Sequence, residues 1–295
     1  MAQVSVIIPV HNAQDTIERC LKSLQGQTFR DWEALCTDDG STDRSADIIG
    51  RLAISDNRIK LFSKPNGGVS SARNLALKHV GGRYMMYLDS DDFIHPQTME
   101  ICVGLAEENG SDLVSFTYDR RYRSLETVRQ ILGIRVEHRF SPITSVESKT
   151  VGDIFDYASE YSRPRGIDPK WAVKHCQPWR GLFKTEKIAG IRFVEGIIYE
   201  DFPWWSEVLL RLGKVTITNL PLYCYYPNFK GYIHTTDQQR RIESLKVALQ
   251  KADELYSTGV DESRKARWEL QFRKPFADKL ASKIRRYGKH SQNNK

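Results

Sequence analysis

The chain has 295 residues, 40% of them hydrophobic and 27% charged, which is enough apolar material for a large core and excludes global disorder. Its longest apolar stretch, Val4–Val10, is broken by Ser5 and Pro9 and falls far short of the roughly 20 residues a membrane-spanning helix needs. The formal net charge is +7, yet 11 of the 44 basic and only two of the 37 acidic residues lie in 264–295, so positions 1–263 carry 33 against 35 and the basicity belongs to the tail. The N-terminus lacks the basic start and long apolar middle of a secretory signal, and we expect a cytoplasmic protein. The five cysteines are widely spaced with no Cys-x-x-Cys pair, which argues against a disulfide framework or a structural zinc site.

In chain order, Val4, Val6, Ile7 and Ile8 form a short apolar strand. Ile17, Cys20, Leu21 and Leu24 follow at the i, i+3, i+4, i+7 spacing of an amphipathic helix. Asn12 and Asp15, three residues apart, suggest a capping box at its start. The run Trp32–Thr37 ends in Asp38, Asp39, Gly40 and Ser41, after which Ala46, Ile48, Ile49, Leu52 and Ala53 repeat the helical pattern. Ile59–Phe62 reads as a third strand, Ser70–Lys78 as a third helix, and Tyr84–Leu88 as a fourth strand running into Asp89, Ser90, Asp91 and Asp92. This alternation predicts an α/β fold with a Rossmann-like, mostly parallel sheet flanked by helices. Ligands in such sheets bind beyond the carboxyl ends of the strands, and both acidic clusters fall there. From about Glu107 the period loosens. Leu113–Tyr118 and Lys214–Tyr226 read as strands, Ile197–Leu212 and Gln239–Tyr256 as helices, and Ser141–Pro178 has no clear period.

Carboxylates two residues apart after a strand, as in Asp89 and Asp91, suit one divalent cation, because Mg²⁺ or Mn²⁺ is held by one or two carboxylates with phosphates and water completing the shell. The same segment is also good turn chemistry, with Asp92 as a cap before Pro96. Asp38 to Asp43 has the same two readings. Gly67 and Gly68 open a helix whose backbone can approach a ligand closely, and Arg73 suits a phosphate or nucleobase; a glycine turn with a serine cap is the plainer alternative. Glu200 and Asp201 either open a helix, where acids favour the macrodipole, or supply a general base.

Taken in order, Val4 to Asn12 (VSVIIPVHN), Asp38 to Asp43 (DDGSTD), Gly68 to Asn74 (GVSSARN) and Leu88 to Asp92 (LDSDD) resemble the nucleotide-binding half of family 2 glycosyltransferases, over roughly the first 115 residues. The resemblance implies the GT-A fold and inverting transfer from a nucleotide sugar, most often a UDP-sugar carrying galactose, glucose or an N-acetylhexosamine, with Mn²⁺ or Mg²⁺ as cofactor. It implies that Pro9, Asn12, Asp39, Arg73 and Asp89 meet the nucleotide, Asp39 through the base. Asp91, with Asp89, would bind the metal and Asp92 would face the donor sugar. Asp201 matches the family's general base, with Glu200 as the alternate. Trp204 and Trp205 would form a sugar platform or pack in the core. His234 is a candidate metal ligand and Lys230 a phosphate contact, on a late loop that closes over the diphosphate.

The expected organisation is a GT-A catalytic domain at 1–235, its nucleotide-sugar half at 1–115 and its acceptor and base half at 116–235, followed by a C-terminal helical extension at 236–295. In the extension Trp268, Phe272, Phe276, Leu280 and Ile284 recur every four residues among basic ones. That pattern predicts either a basic amphipathic helix on an anionic membrane or a helix packed on the catalytic domain. The expected partners are a UDP-sugar donor, a glycan or glycolipid acceptor such as lipopolysaccharide, O-antigen or capsule, and the anionic cytoplasmic face of an inner membrane. Nucleic acid is not an expected partner, because the excess of basic residues lies outside the main fold and no nucleic-acid motif is present. A catalytically inactive carbohydrate-binding relative is the competing reading. A phosphoacceptor receiver domain is too short for this chain.

Overall fold

A computed structural model describes residues 2–120, 140–151, 176–226 and 237–259, with scattered positions between 269 and 285. It opens with strand β1 (Val4–Val10), helix α1 (Ile17–Gln25), β2 (Trp32–Asp39), α2 (Ser45–Ser55), β3 (Ile59–Lys64), α3 (Val69–Ala76) and β4 (Tyr84–Tyr87). There follow β5 (Phe93–Ile94), α4 (Thr98–Asn109), β6 (Leu113–Arg120), β7 (Ser148–Val151), β8 (Gly181–Lys184), α5 (Thr185–Ile188), α6 (Asp201–Arg211), β9 (Val215–Tyr225) and α7 (Gln238–Gly259). The chain divides into two compact units. Met1–Thr150, Trp179–Gly190 and Lys214–Asn228 form the first, and Val151–Pro178, Ile191–Gly213 and Phe229–Lys295 the second.

The first unit is built on one sheet ordered β3-β2-β1-β4-β8-β6-β9-β5, with β7 beside β9. Strands β1 to β4 pair in parallel, as do β6 and β9, whereas β8 runs antiparallel to both β4 and β6, and β5 antiparallel to β9. Every residue of β1 is buried, which is why it reads as a nearly unbroken apolar run. Helix α1 buries Ile17, Cys20, Leu21 and Leu24, the face its spacing predicts.

From β1 the chain winds outward through β2 to β3, then returns to place β4 on the other side of β1. The β1/β4 boundary is therefore the topological switch point, where doubly wound sheets open a crevice. Pro9 helps to open it. β4 pairs with β1 only as far as Ile7, whose carbonyl accepts from the Leu88 N–H at 3.0 Å. Strand residues two apart point their backbone groups to the same side, so the N–H that Pro9 lacks would face the gap beyond β4, and no ladder bond is lost.

The expected capping box does not form. Helix α1 starts at Ile17 behind Thr16, with no side-chain cap. Asn12 instead adopts a left-handed conformation, with φ 49°, and its Oδ1 accepts from Thr42 N at 2.9 Å. The strand-end loop that carries Thr42 thus takes up the side chain that would have capped the helix.

In the second unit α6 and α7 pack together. Helix α6 buries Phe202, Trp204, Trp205, Val208 and Leu209, and α7 buries Leu245, Ala248, Ala252 and Tyr256. The aromatic stripe expected from Trp268 to Ile284 lies outside the described residues. Among those described, no helix is long and apolar enough to cross a membrane.

Candidate active site

Asp39 closes β2 and is buried, with three donors converging on its carboxylate. Lys64 Nζ at 2.6 Å and Gly67 N at 2.9 Å donate to Oδ1, and Gly68 N at 2.7 Å donates to Oδ2. The next residue, Gly40, has φ +68°, and a Cβ there would lie 2.8 Å from Asn66 N, so only glycine fits where the two loops cross. His11 Nδ1 sits 3.0 Å from the Asp39 carbonyl and 3.2 Å from Asn66 Nδ2, while Asn12 N donates to Ser41 Oγ at 3.0 Å. Just beyond, burial opposes ionisation of Asp43. Hydrogen bonds from Ser45 and the Gln14 N–H outweigh that effect and hold its carboxyl below the usual range. Pro9, Asn12 and Asp39 thus share one wall, at the carboxyl ends of β1 and β2.

The other wall is the acidic turn after β4. Arg73, buried on α3, donates from Nη2 to Asp89 Oδ1 at 3.0 Å. Asp92 is fully buried, with Tyr223 OH donating to Oδ2 and Tyr226 N to Oδ1, each at 2.6 Å. Burial pushes the Asp92 carboxyl well above the usual carboxylate range, and the charges of Asp91 and Asp89 push the same way. Its carboxylate is thus turned into the protein and anchors the turn to β9, away from the open side where a donor sugar would meet it. Asp89 and Asp91 are part-exposed. Among the described residues no three His, Cys, Asp or Glu side chains converge to enclose an ion. Two part-exposed carboxylates on one turn nevertheless fit a hard divalent cation that shares its shell with phosphate and water.

In the second unit Asp201 is the first residue of α6 and Glu200 the residue before it. Both are partly exposed, and Cys176 Sγ donates to Asp201 Oδ2 at 3.5 Å. Trp204 and Trp205 are buried at 1% and 3% exposure, and Trp204 stacks on Phe193 with centroids 5.0 Å apart. Both indoles are therefore core residues and neither is a sugar platform. His234 and Lys230 lie outside the described residues.

Sequence reasoning gave no role to Lys64 or Tyr223. A signal for Lys64 existed in the β2/β3 register, which sets it directly beside Asp39. Tyr223 carried none, because it lies 131 residues from Asp92 along the chain.

The sequence signature of the glycosyl transferase family 2 matches residues 5–160, more than half of the chain. The chain belongs to that family. It is 39% identical over 228 residues to the uncharacterized glycosyltransferase EpsJ of Bacillus subtilis, covering 76% of this chain and 61% of that protein. It spans about three fifths of the length of EpsJ and of the uncharacterized glycosyltransferase YibD of Escherichia coli, and 30% of that of the glycosyltransferase GlyA of Streptococcus pneumoniae. Solved structures share its GT-A fold. Staphylococcus aureus TarS residues 1–349, solved with UDP-GlcNAc, superposes with a TM-score of 0.65 at 19% identity, over 89% of this chain and 69% of that one. The mannosyltransferase PcManGT of Pyrobaculum calidifontis, solved with GDP-Man and Mn²⁺, gives 0.59 at 17% identity over 97% and 75%. The expected sheet, flanking helices and family are those observed.

Proposed function

We propose that this chain is an inverting, metal-dependent glycosyltransferase that moves a hexose from a UDP-sugar to a hydroxyl of a surface glycan or glycolipid under construction. The observation that carries the reading is the gathering of Asp39, the Arg73–Asp89 pair and Asp91 around the β1/β4 switch point. Pro9, Asn12 and Asp39 form the base side. A carboxylate has about four lone-pair sites, so the three donors already on Asp39 leave one for the uracil N3–H. Arg73 faces the nucleotide, with Asp89 beside the ribose. The nucleotide sugars held by the two structural neighbours support a nucleotide-sugar donor here, and the Mn²⁺ of one supports a metal.

Asp91, with Asp89, would hold Mn²⁺ or Mg²⁺, which when bound supplies Lewis-acid stabilisation of the charge growing on the departing diphosphate. Asp201, with Glu200 as alternate, takes the proton of the acceptor hydroxyl as it attacks the anomeric carbon from the side opposite the nucleotide. Asp92 we assign to holding the turn. We take 1–235 as the catalytic domain and 236–295 as an extension whose basic charge supports a peripheral position on an anionic inner-membrane face.

The test is a panel of nucleotide sugars with Mn²⁺ and the purified protein. A UDP-hexose should be turned over, Asp91→Ala and Asp201→Asn should each lower transfer by roughly 10²-fold or more, and Asp201→Asn should bind UDP as the wild type does. Wild-type transfer by Asp201→Asn would sink the base assignment. No turnover and no UDP binding would sink the function.

A further inference from the structure

Helix α1 turns a row of polar side chains toward the segment that carries the acidic turn. Arg19 Nη2 donates to the backbone carbonyl of Asp91 at 2.6 Å, and Cys20 Sγ reaches that of Asp89 at 3.7 Å. Farther along, the Ile94 N–H donates to Ser23 Oγ at 3.3 Å. Gln27 donates from Nε2 to the His95 carbonyl at 2.8 Å and accepts from Met99 N at 3.1 Å. Arg19 and Ser23 lie one turn apart on α1 and Gln27 follows just past its end, so the helix and the residues that close it grip the backbone of the turn and of the strand after it.

Arg19 differs from the others in what it holds. Its partner is the carbonyl of Asp91 itself, and its guanidinium lies 4.0 Å from the ring centroid of Tyr226 and 5.1 Å from that of Phe93. Tyr226 in turn donates its N–H to Asp92 Oδ1 at 2.6 Å. The guanidinium is thus fixed by two aromatic faces while its hydrogen bond fixes the peptide plane that follows Asp91. That plane sets the direction of the Asp91 Cα–Cβ bond and hence the aim of its carboxylate. A cation held by only one or two carboxylates depends on that aim, and groups that orient a ligand from one layer out typically carry 10- to 100-fold of metal affinity.

We propose that Arg19 is a positioning residue of the cation site, acting through the backbone of Asp91 and not on the sugar nucleotide. The proposal rests on the reading of Asp91 as the carboxylate that holds the divalent cation. Arginine suits the task because its flat guanidinium lies over the Tyr226 ring while donating in its plane, and lysine cannot do both.

The experiment measures Mn²⁺ binding to the full chain by loss of the free-ion electron paramagnetic resonance signal, with and without UDP, for wild type, Arg19→Met, Arg19→Lys and Asp91→Asn. Arg19→Met should weaken Mn²⁺ binding about ten-fold or more, Arg19→Lys should recover part of the loss, and metal-free UDP affinity should stay within about two-fold. Wild-type Mn²⁺ affinity in Arg19→Met, with the ion lost in Asp91→Asn, overturns the Arg19 assignment alone. Wild-type affinity in Asp91→Asn, or no Mn²⁺ binding by the wild type, overturns the cation reading and this proposal with it. If circular dichroism shows Arg19→Met unfolded, Arg19→Lys decides, and unchanged affinity there overturns the assignment.

Discussion

Asp92 and Tyr223 show how a residue's place in a motif differs from its task. Asp92 closes the acidic run, and its sequence position suggests contact with a ligand. Its carboxylate is instead buried, held by Tyr223 OH and the Tyr226 N–H. Tyr223 OH also accepts from Asp89 N at 3.3 Å, so one phenol ties both ends of the turn to β9. Tyr223→Phe removes the donor and leaves a buried carboxylate oxygen unsatisfied, which costs about 1–3 kcal/mol. Urea unfolding should show the midpoint lowered at unchanged slope. An unchanged midpoint would mean that water replaces the hydroxyl. The carboxylates themselves were legible from the sequence, because residue type and spacing after a strand limit what Asp39, Asp89 and Asp91 can do. Their partners were not legible, since Tyr223 and Lys64 reach them only once the sheet is assembled.

Elements were legible wherever one period persisted for several turns, as in α1, α2, α6 and α7, or a strand was buried from end to end, as in β1, β2 and β4. Strand β8 escaped because its apolar part is only Gly181, Leu182 and Phe183, too short for any period. It is nevertheless wedged between β4 and β6, where a Cβ on Gly181 would run into the Leu113 side chain. The join between α2 and β3 depends on charge. Arg58 donates from Nε to Asp56 Oδ1 at 2.9 Å and from Nη2 to Oδ2 at 2.8 Å, and its guanidinium lies 3.9 Å from the Trp32 ring centroid. The Arg58 hydrogen bonds hold the Asp56 carboxyl down to about 2. A carboxyl whose pKa is depressed by folding contributes stability that is present above its unfolded value, near 3.9, and lost as pH falls toward the folded value. We therefore expect Asp56→Asn to cost about 1–2 kcal/mol at pH 7, after allowance for solvent screening, and much less at pH 2. A pH series of urea midpoints measures this, and a cost that does not vary with pH would mean that packing against Trp32, not charge, secures the join.

At the scale of the whole molecule, charge separates the sheet-bearing core from the C-terminal tail. Removing everything after Gly259 deletes 11 basic and four acidic residues and takes the formal charge from +7 to zero. Not all of that charge faces outward, since Arg273 pairs with Asp253 of α7 at 2.8 Å and with Glu269 at 3.0 Å. At an anionic surface each Lys or Arg contributes about 1 kcal/mol, falling off within a Debye length. The proposed nucleotide wall, by contrast, is built entirely within the first unit, from β1, β2, α3 and the turn after β4. Truncation after Gly259 should accordingly abolish sedimentation with phosphatidylserine or phosphatidylglycerol vesicles at low salt while leaving UDP affinity within about two-fold. Raising the salt to about 0.5 M should release the full chain from the same vesicles, because screening weakens an electrostatic anchor far more than an apolar one. If the truncated chain still sediments, the vesicle contact lies in the core. If the full chain never does, the basic tail serves packing against α7, and the Arg273–Asp253 pair is its purpose.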